Sequence, residues 1–467
     1  MVFSSLTFLL YFLPITLALY FIRSSIRWRN GVLLAASLVF YAWGRPVWLL
    51  GMLFSALVNY MCALSMTGIK GGARRLRLYI GVGASLALLF VFKYLAFFVN
   101  TVLGIVSSAR MTPLELPIGI SFYTFQILTY TVDVYRGKQK AQSSFFDLLL
   151  YVSCFPQLIA GPIVRYGDVA REIGERRTAP DDFSAGVQRF ALGLGKKALV
   201  ANVCAEILEK LPLAGAGSLS FAGAWYAAAI YTLQIYFDFS GYSDMAIGLG
   251  RIFGFHYREN FDHPYWAVSV RDFWRKWHIS LGAFFREYVY IPLGGNRKGL
   301  KRTIVNTLIV WGLTGLWHGA NWTFILWGVY YGALLTLDLL GGKDIIKKVP
   351  AFVNRIFTLI LVMVGWGIFY YPTLGQAFTH LGAMFGGGTG LLDAAARDVI
   401  RSYSVLPLLF CALALPIGQW LAALGKRLNV RPSLWYAAQA ALGVLIAVLS
   451  LVFIEGLSSN PFIYFQF

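Results

Sequence analysis

The sequence predicts an all-α protein that crosses a membrane many times. Of its residues, 58% are apolar and only 13% are charged, whereas soluble proteins average about 25% charged residues. The mean hydropathy of +0.65 agrees with this assignment. Apolar runs follow one another along the whole chain, and several approach the ~20 residues that cross a bilayer as a helix. We therefore expect roughly eleven membrane-crossing helices, together with shorter re-entrant and interfacial helices.

The apolar runs lie at residues 6–22, 31–43, 47–66, 78–106, 116–134, 145–163, 186–209, 222–250, 303–316, 322–340, 351–371, 403–424 and 433–454. The first run has no basic region before it and no small-residue cleavage site after it, so we expect a helix rather than a cleaved signal peptide. Residues 145–163 lie between two basic stretches and contain Pro156 and Gly161-Pro162. These features favour a re-entrant segment, which needs a cavity lined by protein or water.

The net charge of +19 comes from 40 basic and 21 acidic residues. Most of the basic residues lie between the apolar runs, a pattern that marks cytoplasmic loops rather than a nucleic-acid surface. The basic loops 23–29 and 70–77 are therefore expected on the cytoplasmic side, with the amino terminus outside. Because the chain has no internal repeat, linker or soluble segment, residues 1–467 are expected to form a single membrane domain.

Cysteine and histidine spacing gives no sign of a metal or redox centre. The four cysteines are scattered without ligand spacing, which is typical of small packing residues. His256 and His263 are seven residues apart, and no second pair of ligands accompanies them. No metal site and no bound cofactor are expected.

The first polar group within an apolar run contains Asp238 and Asp244. On a helix these two carboxylates point in different directions. A buried carboxylate needs a partner, and the arginines of the following segment are the expected candidates. Asp238 either braces the wall of a cavity, or it orients a catalytic histidine or binds substrate.

The second polar group lies at about residues 270–295, where Arg, Lys and Trp are dense, as in interfacial segments. Asp272 and Lys276 are four residues apart, as are Trp274 and His278, so each pair shares a helix face. The basic side chains either bind lipid headgroups or receive the phosphates of a coenzyme from the cytoplasm. They are Arg271, Arg275, Lys276 and Arg286. His278 taken alone fits an ordinary interfacial histidine.

The third polar group lies at about residues 311–328, where His318 follows Trp317 within an apolar run. Ionisable residues at membrane depth are usually functional. A neutral imidazole suits a general base that acts on a hydroxyl, although a buried structural histidine is the alternative. Gly315 and Gly319 allow either a neighbouring helix or a ligand to approach the backbone closely.

Together, the motifs Arg271–His278 and Leu316–Trp322 resemble the two signature regions of the membrane-bound O-acyltransferase (MBOAT) family. Further motifs resemble the bacterial branch of the family that acts on secreted polymers such as alginate: Met1–Ser5, Leu116–Gln126, Asp133–Gly137, Phe155–Ile163 and Phe462–Phe465. The resemblance extends over essentially the whole chain. One departure is Gly282, which stands where relatives more often have a small hydroxyl residue.

The resemblance implies a helical ring around a central tunnel in the bacterial inner membrane. An acyl thioester, either acetyl-coenzyme A or an acyl carrier protein, would enter from the cytoplasm as a substrate. The acetyl group would then serve the O-acetylation of a secreted polysaccharide of the alginate type. A separate extracytoplasmic acetyltransferase of the esterase-like SGNH type and membrane lipid are the implied partners. Peptidoglycan or cellulose acetylation and D-alanyl transfer to teichoic acid are the alternatives.

By the same resemblance, His318 matches the catalytic histidine of the family and His278 a second signature histidine. His318 would accept the proton of the acceptor hydroxyl, while His278 or Asn321 steadies that histidine or the developing oxyanion. The other candidates for assisting or substrate-contacting roles are Asp272, Trp274, Trp317 and Asp238. Direct transfer is the simpler scheme, and a covalent intermediate stays open.

A transporter or flippase is the alternative from another functional class. Its usual sign, paired broken helices in two related halves, is missing from the sequence. An inactive scaffold is disfavoured by the intact residues His318, His278 and Asn321.

Overall fold

The computed structural model describes residues 1–106, 110–159, 161–213 and 219–456. These residues form helices, and their only β-pairing is a single antiparallel bridge between Phe261 and Trp277. The all-α prediction is therefore confirmed. The motif Phe462–Phe465 and residue Ala160 of the Phe155–Ile163 motif lie outside the described residues.

In the first half of the chain the helices are α1 (Leu13–Phe21), α2 (Ile26–Ala42), α3 (Trp48–Ser65), α4 (Gly71–Leu89), α5 (Leu95–Val106), α6 (Ile120–Tyr135), α7 (Phe145–Ser153), α8 (Phe155–Leu158), α9 (Tyr166–Gly174), α10 (Pro180–Gly195), α11 (Asn202–Glu209) and α12 (Phe221–Ile252). In the second half they are α13 (Val270–Lys276), α14 (Ile279–Phe285), α15 (Gly299–His318), α16 (Trp322–Leu337), α17 (Lys343–Ile346), α18 (Ala351–Tyr370), α19 (Leu374–Met384), α20 (Ala394–Ser402), α21 (Leu406–Leu413), α22 (Ile417–Arg427) and α23 (Pro432–Glu455).

Short π-helical segments extend several of these helices, at Phe8–Phe12, Phe90–Tyr94, Lys196–Ala201, Arg286–Tyr290 and Asp338–Gly342. A single 3₁₀ turn, Pro264–Trp266, precedes α13.

The described residues divide into two compact units. The first contains Met1–Gly193, Tyr242–Arg258 and a short piece that begins at Ile454, and the second contains Leu194–Gly241 and Glu259–Phe453. Both signature regions fall in the second unit. The expectation of a single membrane domain stays a prediction.

Five helical stretches among the described residues are long and apolar enough to cross a membrane: Trp48–Ser65, Gly71–Gly104, Trp322–Gly342, Ala351–Tyr370 and Pro432–Glu455. A sixth is added if α21 and α22, which meet at a bend of 67°, are one broken span. These helices are the structural signature of a membrane protein. The larger number of roughly eleven crossings stays a prediction.

The proposed re-entrant segment is helical only in pieces. It consists of the nine-residue helix α7 and the four-residue helix α8, and the helix breaks at Cys154, two residues before Pro156. Nine residues of α-helix extend about 14 Å, less than half of the ~30 Å hydrocarbon thickness. The segment is too short to cross as a straight helix, and its depth in the membrane stays a prediction.

In the second unit, α15 packs against α16, α16 against α18, and α13 against both α16 and α18. The two signature regions are therefore in contact. At the α15–α16 interface, a Cβ atom added to Gly328 would lie 2.5 Å from the carbonyl oxygen of Trp311. A Cβ atom on Gly315 would collide with the carbonyl oxygen of Phe324. The close approach expected at Gly315 is thus an approach between helices.

Replacing Gly328 with Ala should separate α15 from α16 and lower the midpoint of thermal unfolding in detergent. Overpacking of this kind costs about 1–3 kcal/mol, more than the 0.5–1 kcal/mol that alanine gains over glycine in a helix. The matched control is Gly312→Ala on α15, where an added Cβ meets nothing within 4 Å. Equal midpoints for the two variants would contradict the proposed interface.

Candidate functional site

The start of α13 is fixed by hydrogen bonds between side chains and the backbone. The Ser269 hydroxyl accepts a hydrogen bond from the Asp272 backbone N–H at 3.0 Å, and Asp272 Oδ2 accepts one from the Val268 N–H at 3.1 Å. Lys276 Nζ donates to the same carboxylate oxygen at 3.1 Å. Asp272 and Lys276 therefore hold the helix that carries the first signature region.

After α13 the chain turns sharply at His278, whose backbone has φ 47° and ψ 53°. This left-handed conformation costs a non-glycine residue about 1–2 kcal/mol. A neighbouring segment holds the turn: the Ile279 N–H donates to the Asn260 carbonyl oxygen at 3.0 Å, and the Asp262 N–H donates to the Lys276 carbonyl oxygen at 3.0 Å. These hydrogen bonds on both sides keep His278 in its strained conformation.

The His278 side chain is 2% exposed. Its Nδ1 atom lies 3.2 Å from Asn260 Oδ1, and its ring meets the Phe239 ring edge-on at a centroid distance of 4.7 Å. The Nε2 atom has no hydrogen-bond partner within the described part of the chain. Burial lowers the pKa of His278 to about 3, so the ring is neutral at physiological pH.

His318 is the last residue of α15 and is 4% exposed. Its ring meets Trp317, Trp327 and Phe369 edge-on, at centroid distances of 5.0, 5.0 and 5.2 Å. The Trp317 indole also contacts His278, with ring centroids 5.7 Å apart. The structure thus brings two histidines, forty residues apart in the chain, to the same indole.

A cavity of about 570 Å³ lies beside His278. Its walls come mainly from α13, α14 and α15, and the described residues that line it include His278, Trp274 and Gly282 but not His318 or Lys276. Three arginines also line it: Arg271, Arg275 and Arg286. The Nε atom of Arg271 is 2.6 Å from Asp338 Oδ2. Three of the four basic residues proposed to bind lipid headgroups or the phosphates of a coenzyme therefore face this cavity.

Behind Trp274 lies a cluster of large aromatic rings. The centroids of Trp311, Tyr331 and Trp327 lie 4.6, 4.8 and 5.4 Å from the Trp274 centroid. Four buried donors here have no hydrogen-bond partner in the described residues: Nε1 of Trp274, Trp327 and Trp366, and the Tyr331 hydroxyl. An unmade buried hydrogen bond costs about 1–3 kcal/mol. Donors of this kind are suited to hydrogen-bond to the oxygen of a bound carbonyl group.

Asn321 is placed at the beginning of α16. Its Oδ1 atom accepts a hydrogen bond from the Thr323 N–H at 3.2 Å, and its Nδ2 group donates to the Pro372 carbonyl oxygen at 2.6 Å. Both ends of the amide thus contact backbone groups. This geometry makes Asn321 a helix cap that fixes the turn after His318.

Asp238 is 1% exposed and its carboxylate lies 2.7 Å from Lys197 Nζ. The arginines of the following segment were the expected partners, whereas the lysine comes from an earlier helical segment, because spatial rather than sequence proximity decides pairing. Within the first unit, Asp244 pairs with Arg189 at 2.6 Å. The separate partners confirm that the two carboxylates point in different directions.

Lys197 and Asn260 were not among the predicted site residues. Lys197 carried a usable signal, since a lysine inside the apolar run 186–209 needs a buried partner. Asn260 lies in a polar loop, where an asparagine is unremarkable. Among the described residues, no three His, Cys, Asp or Glu side chains are grouped so that they could hold a metal ion.

Residues 33–375, which include both histidines, match the family model described as MBOAT, membrane-bound O-acyltransferase family. The chain is 39% identical to the probable alginate O-acetylase AlgI of Pseudomonas putida over the full length of both proteins. It is 35% identical to the peptidoglycan O-acetyltransferase of Helicobacter pylori, over 83% of this chain and 80% of that relative. Identity to the teichoic acid D-alanyltransferase of Bacillus subtilis is 27%, over 56% of this chain and 70% of that relative.

Replacing Lys197 with Met should destabilise the protein strongly, because it removes the cation that lies 2.7 Å from the buried Asp238 carboxylate. Breaking a buried ion pair from one side costs about 3–5 kcal/mol, whereas replacing both partners with apolar residues is often close to neutral. We expect a large drop in the thermal unfolding midpoint for Lys197→Met and a smaller drop for Lys197→Met/Asp238→Leu. If the double variant were the less stable one, the pair would not be the stabilising unit.

Proposed function

Because the chain belongs to the membrane-bound O-acyltransferase family, we propose that it passes an acetyl group from a cytoplasmic thioester across the membrane for the O-acetylation of a secreted polysaccharide. The chain is a membrane O-acyltransferase. The observation that carries the proposal is the contact of Trp317 with both signature histidines, beside a cavity lined by arginines.

The arginine-lined cavity is the proposed entrance for the acyl donor. Arg275 is exposed and Arg271 is half-buried, so both can meet phosphates that come from water. The positive-inside pattern supports a cytoplasmic position for these residues, on the side where acetyl-coenzyme A and acyl carrier proteins are found. Lys276, which pairs with Asp272, contributes to the shape of the entrance rather than to its lining.

His318 is the proposed general base. As the acceptor hydroxyl oxygen attacks the thioester carbonyl carbon, its proton moves to the His318 ring. The carbon–sulfur bond then breaks, and the thiolate leaves with that proton as a free thiol, so that protons and charges balance. The aromatic walls formed by Trp317, Trp327 and Phe369 keep water away from the thioester.

The carbonyl oxygen gains negative charge during this attack and needs hydrogen-bond donors. Trp274 lines the cavity and has a buried Nε1 group with no partner in the described residues, so it is the proposed first donor. The amide of Asn321 already contacts backbone groups at both ends. Its proposed part is to hold the turn that carries His318.

The proposed architecture is a helical ring of roughly eleven crossings around a central tunnel in the bacterial inner membrane, with the amino terminus outside. A tunnel lets a cytoplasmic donor and an outer acceptor meet at His318. An extracytoplasmic acetyltransferase of the SGNH type would complete transfer to the polymer. Similarity to an alginate O-acetylase over both full lengths supports an alginate-type acceptor, and the peptidoglycan O-acetyltransferase relative supports peptidoglycan as the second candidate.

Replacing His318 with Ala should abolish acetylation of the polymer while the protein remains folded in the membrane. The loss should be at least on the order of 10²-fold, the usual contribution of a general base. Acetate released by mild alkali from cell-surface polymer is the measurement. His256→Ala, which removes an exposed histidine, is the control and should keep normal acetylation. Normal acetylation by His318→Ala would remove this residue from the mechanism.

Replacing Arg275 with Ala should raise the KM for acetyl-coenzyme A by about 10- to 100-fold, because a lost charge-assisted contact is worth roughly 1.5–3 kcal/mol. The KM for acetyl-pantetheine, which has no phosphates, should not change. Lys301→Ala removes an exposed cation that does not line the cavity among the described residues and serves as the control. Equal KM changes for both thioesters would argue against phosphate binding at Arg275.

A further inference from the structure

We infer that Asn260 is a positioning residue: it fixes the His278 ring with hydrogen on Nδ1, so that Nε2 is available only as a hydrogen-bond or proton acceptor. The inference rests on the proposed function and assigns a role within it. Asn260 does not itself face the donor cavity among the described residues, and it acts through the ring that does.

The identity of the Asn260 side-chain atom that faces His278 is fixed by its other neighbours. The backbone N–H of Ser280 points at this atom over 3.2 Å, and the Ser280 hydroxyl donates to it over 2.8 Å. A backbone N–H can only donate, so the atom must be the carbonyl oxygen Oδ1 and not the amide nitrogen. The orientation of the amide therefore follows from the backbone.

The orientation of the Asn260 amide determines the tautomer of His278. An amide oxygen accepts hydrogen bonds and has no hydrogen to donate, so in the contact of 3.2 Å His278 Nδ1 is the donor. The Ser280 hydroxyl lies 3.5 Å from the same nitrogen, but its single hydrogen is directed to Asn260 Oδ1 at 2.8 Å. A neutral imidazole carries one hydrogen, which leaves a lone pair on Nε2. Nε2 is buried and has no hydrogen-bond partner among the described residues.

The backbone at Asn260 and Phe261 also contacts the residues on either side of His278. Asn260 is 1% exposed, its own carbonyl oxygen accepts from the Ile279 N–H at 3.0 Å, and the adjacent Phe261 forms the antiparallel bridge with Trp277. His278 has the strained left-handed backbone in the middle of this arrangement. One residue thus fixes both the position and the protonation of the ring.

The tautomer decides which of two roles His278 can have: to donate to an oxyanion or to accept a hydrogen bond. A ring with a lone pair on Nε2 cannot stabilise an oxyanion through that nitrogen, because an oxyanion needs a donor. Through Nε2, which is buried in a ring that borders the cavity, His278 would instead accept a hydrogen bond or a proton from a hydroxyl or amide group of a bound substrate. The charged side chains that share this cavity are Arg271, Arg275 and Arg286, none of which can act as an acceptor.

The test compares two variants of purified full-length protein turning over acetyl-coenzyme A. Asn260→Asp keeps an acceptor oxygen toward Nδ1 and toward Ser280, so kcat should stay within about tenfold of wild type. Asn260→Leu removes the acceptor, and kcat should fall on the order of 10²-fold with KM nearly unchanged. Equal kcat for the two variants, or a loss confined to KM, would overturn the positioning role.

A matched control separates positioning from simple loss of a buried asparagine. Asn306 is also fully buried in the second unit and donates to the Gly295 carbonyl oxygen at 2.8 Å. Asn306→Leu should lower the unfolding midpoint, while kcat per folded molecule stays within about twofold. A kcat loss for Asn306→Leu equal to that for Asn260→Leu would mean that the effect is only structural.

Even if Asn260→Leu does not fold, the tautomer of His278 can be measured in the wild-type protein. His278–Ile279 is the only His–Ile pair in the chain, so paired isotope labels identify this one ring by solid-state NMR. The expected signature is a protonated Nδ1 and an unprotonated Nε2, and the opposite tautomer would overturn the inference. If wild-type protein turns over no thioester, the proposed function fails, while the NMR result still judges the role of Asn260.

Discussion

Burying a polar group without a hydrogen-bond partner is costly, and this cost limits where the candidate functional side chains of the second unit can lie. Lys197 and Asp238 satisfy each other at 2.7 Å, and Asn260 satisfies both the backbone and the hydroxyl of Ser280. Breaking such a pair from one side leaves a charge or a donor without compensation. His278 is therefore held by its contact with Asn260, and His318 by the rings of Trp317, Trp327 and Phe369.

Close backbone packing sets the positions of both histidines. Gly315 and Gly328 let α15 and α16 approach until backbone atoms touch, which positions His318 at the end of α15 against Trp327 of α16. On the other side of Trp317, the bridge between Phe261 and Trp277 sets the turn at His278. Each histidine is thus placed by a backbone contact that side-chain rearrangement cannot relieve.

The sequence predicted the helical class, the membrane setting and the two segments that meet in the structure. Patterns of apolar residues and charges report on the local environment, so His318 and the basic segment near His278 could be found from them. The partner of Asp238 could not be found in this way, because Lys197 reaches it through the fold and not through helical spacing. Asn260 was missed for the same reason: its carbonyl oxygens act on residues 278–280, eighteen or more positions away, while its own neighbours in the chain are ordinary loop residues.

The tautomer of His278 also constrains the remaining chemistry. If Nε2 only accepts, and if the Asn321 amide is occupied by the Thr323 N–H and the Pro372 carbonyl, the oxyanion of the proposed reaction needs other donors. Indole and phenol groups are suited to this task, since they donate without carrying a charge that would be costly to bury. Trp274, Trp327, Trp366 and Tyr331 have such donors in one cluster, within the ring contacts that join the cavity to His318. A site that separates a proton acceptor from preorganised uncharged donors is suited to stabilise an oxyanion.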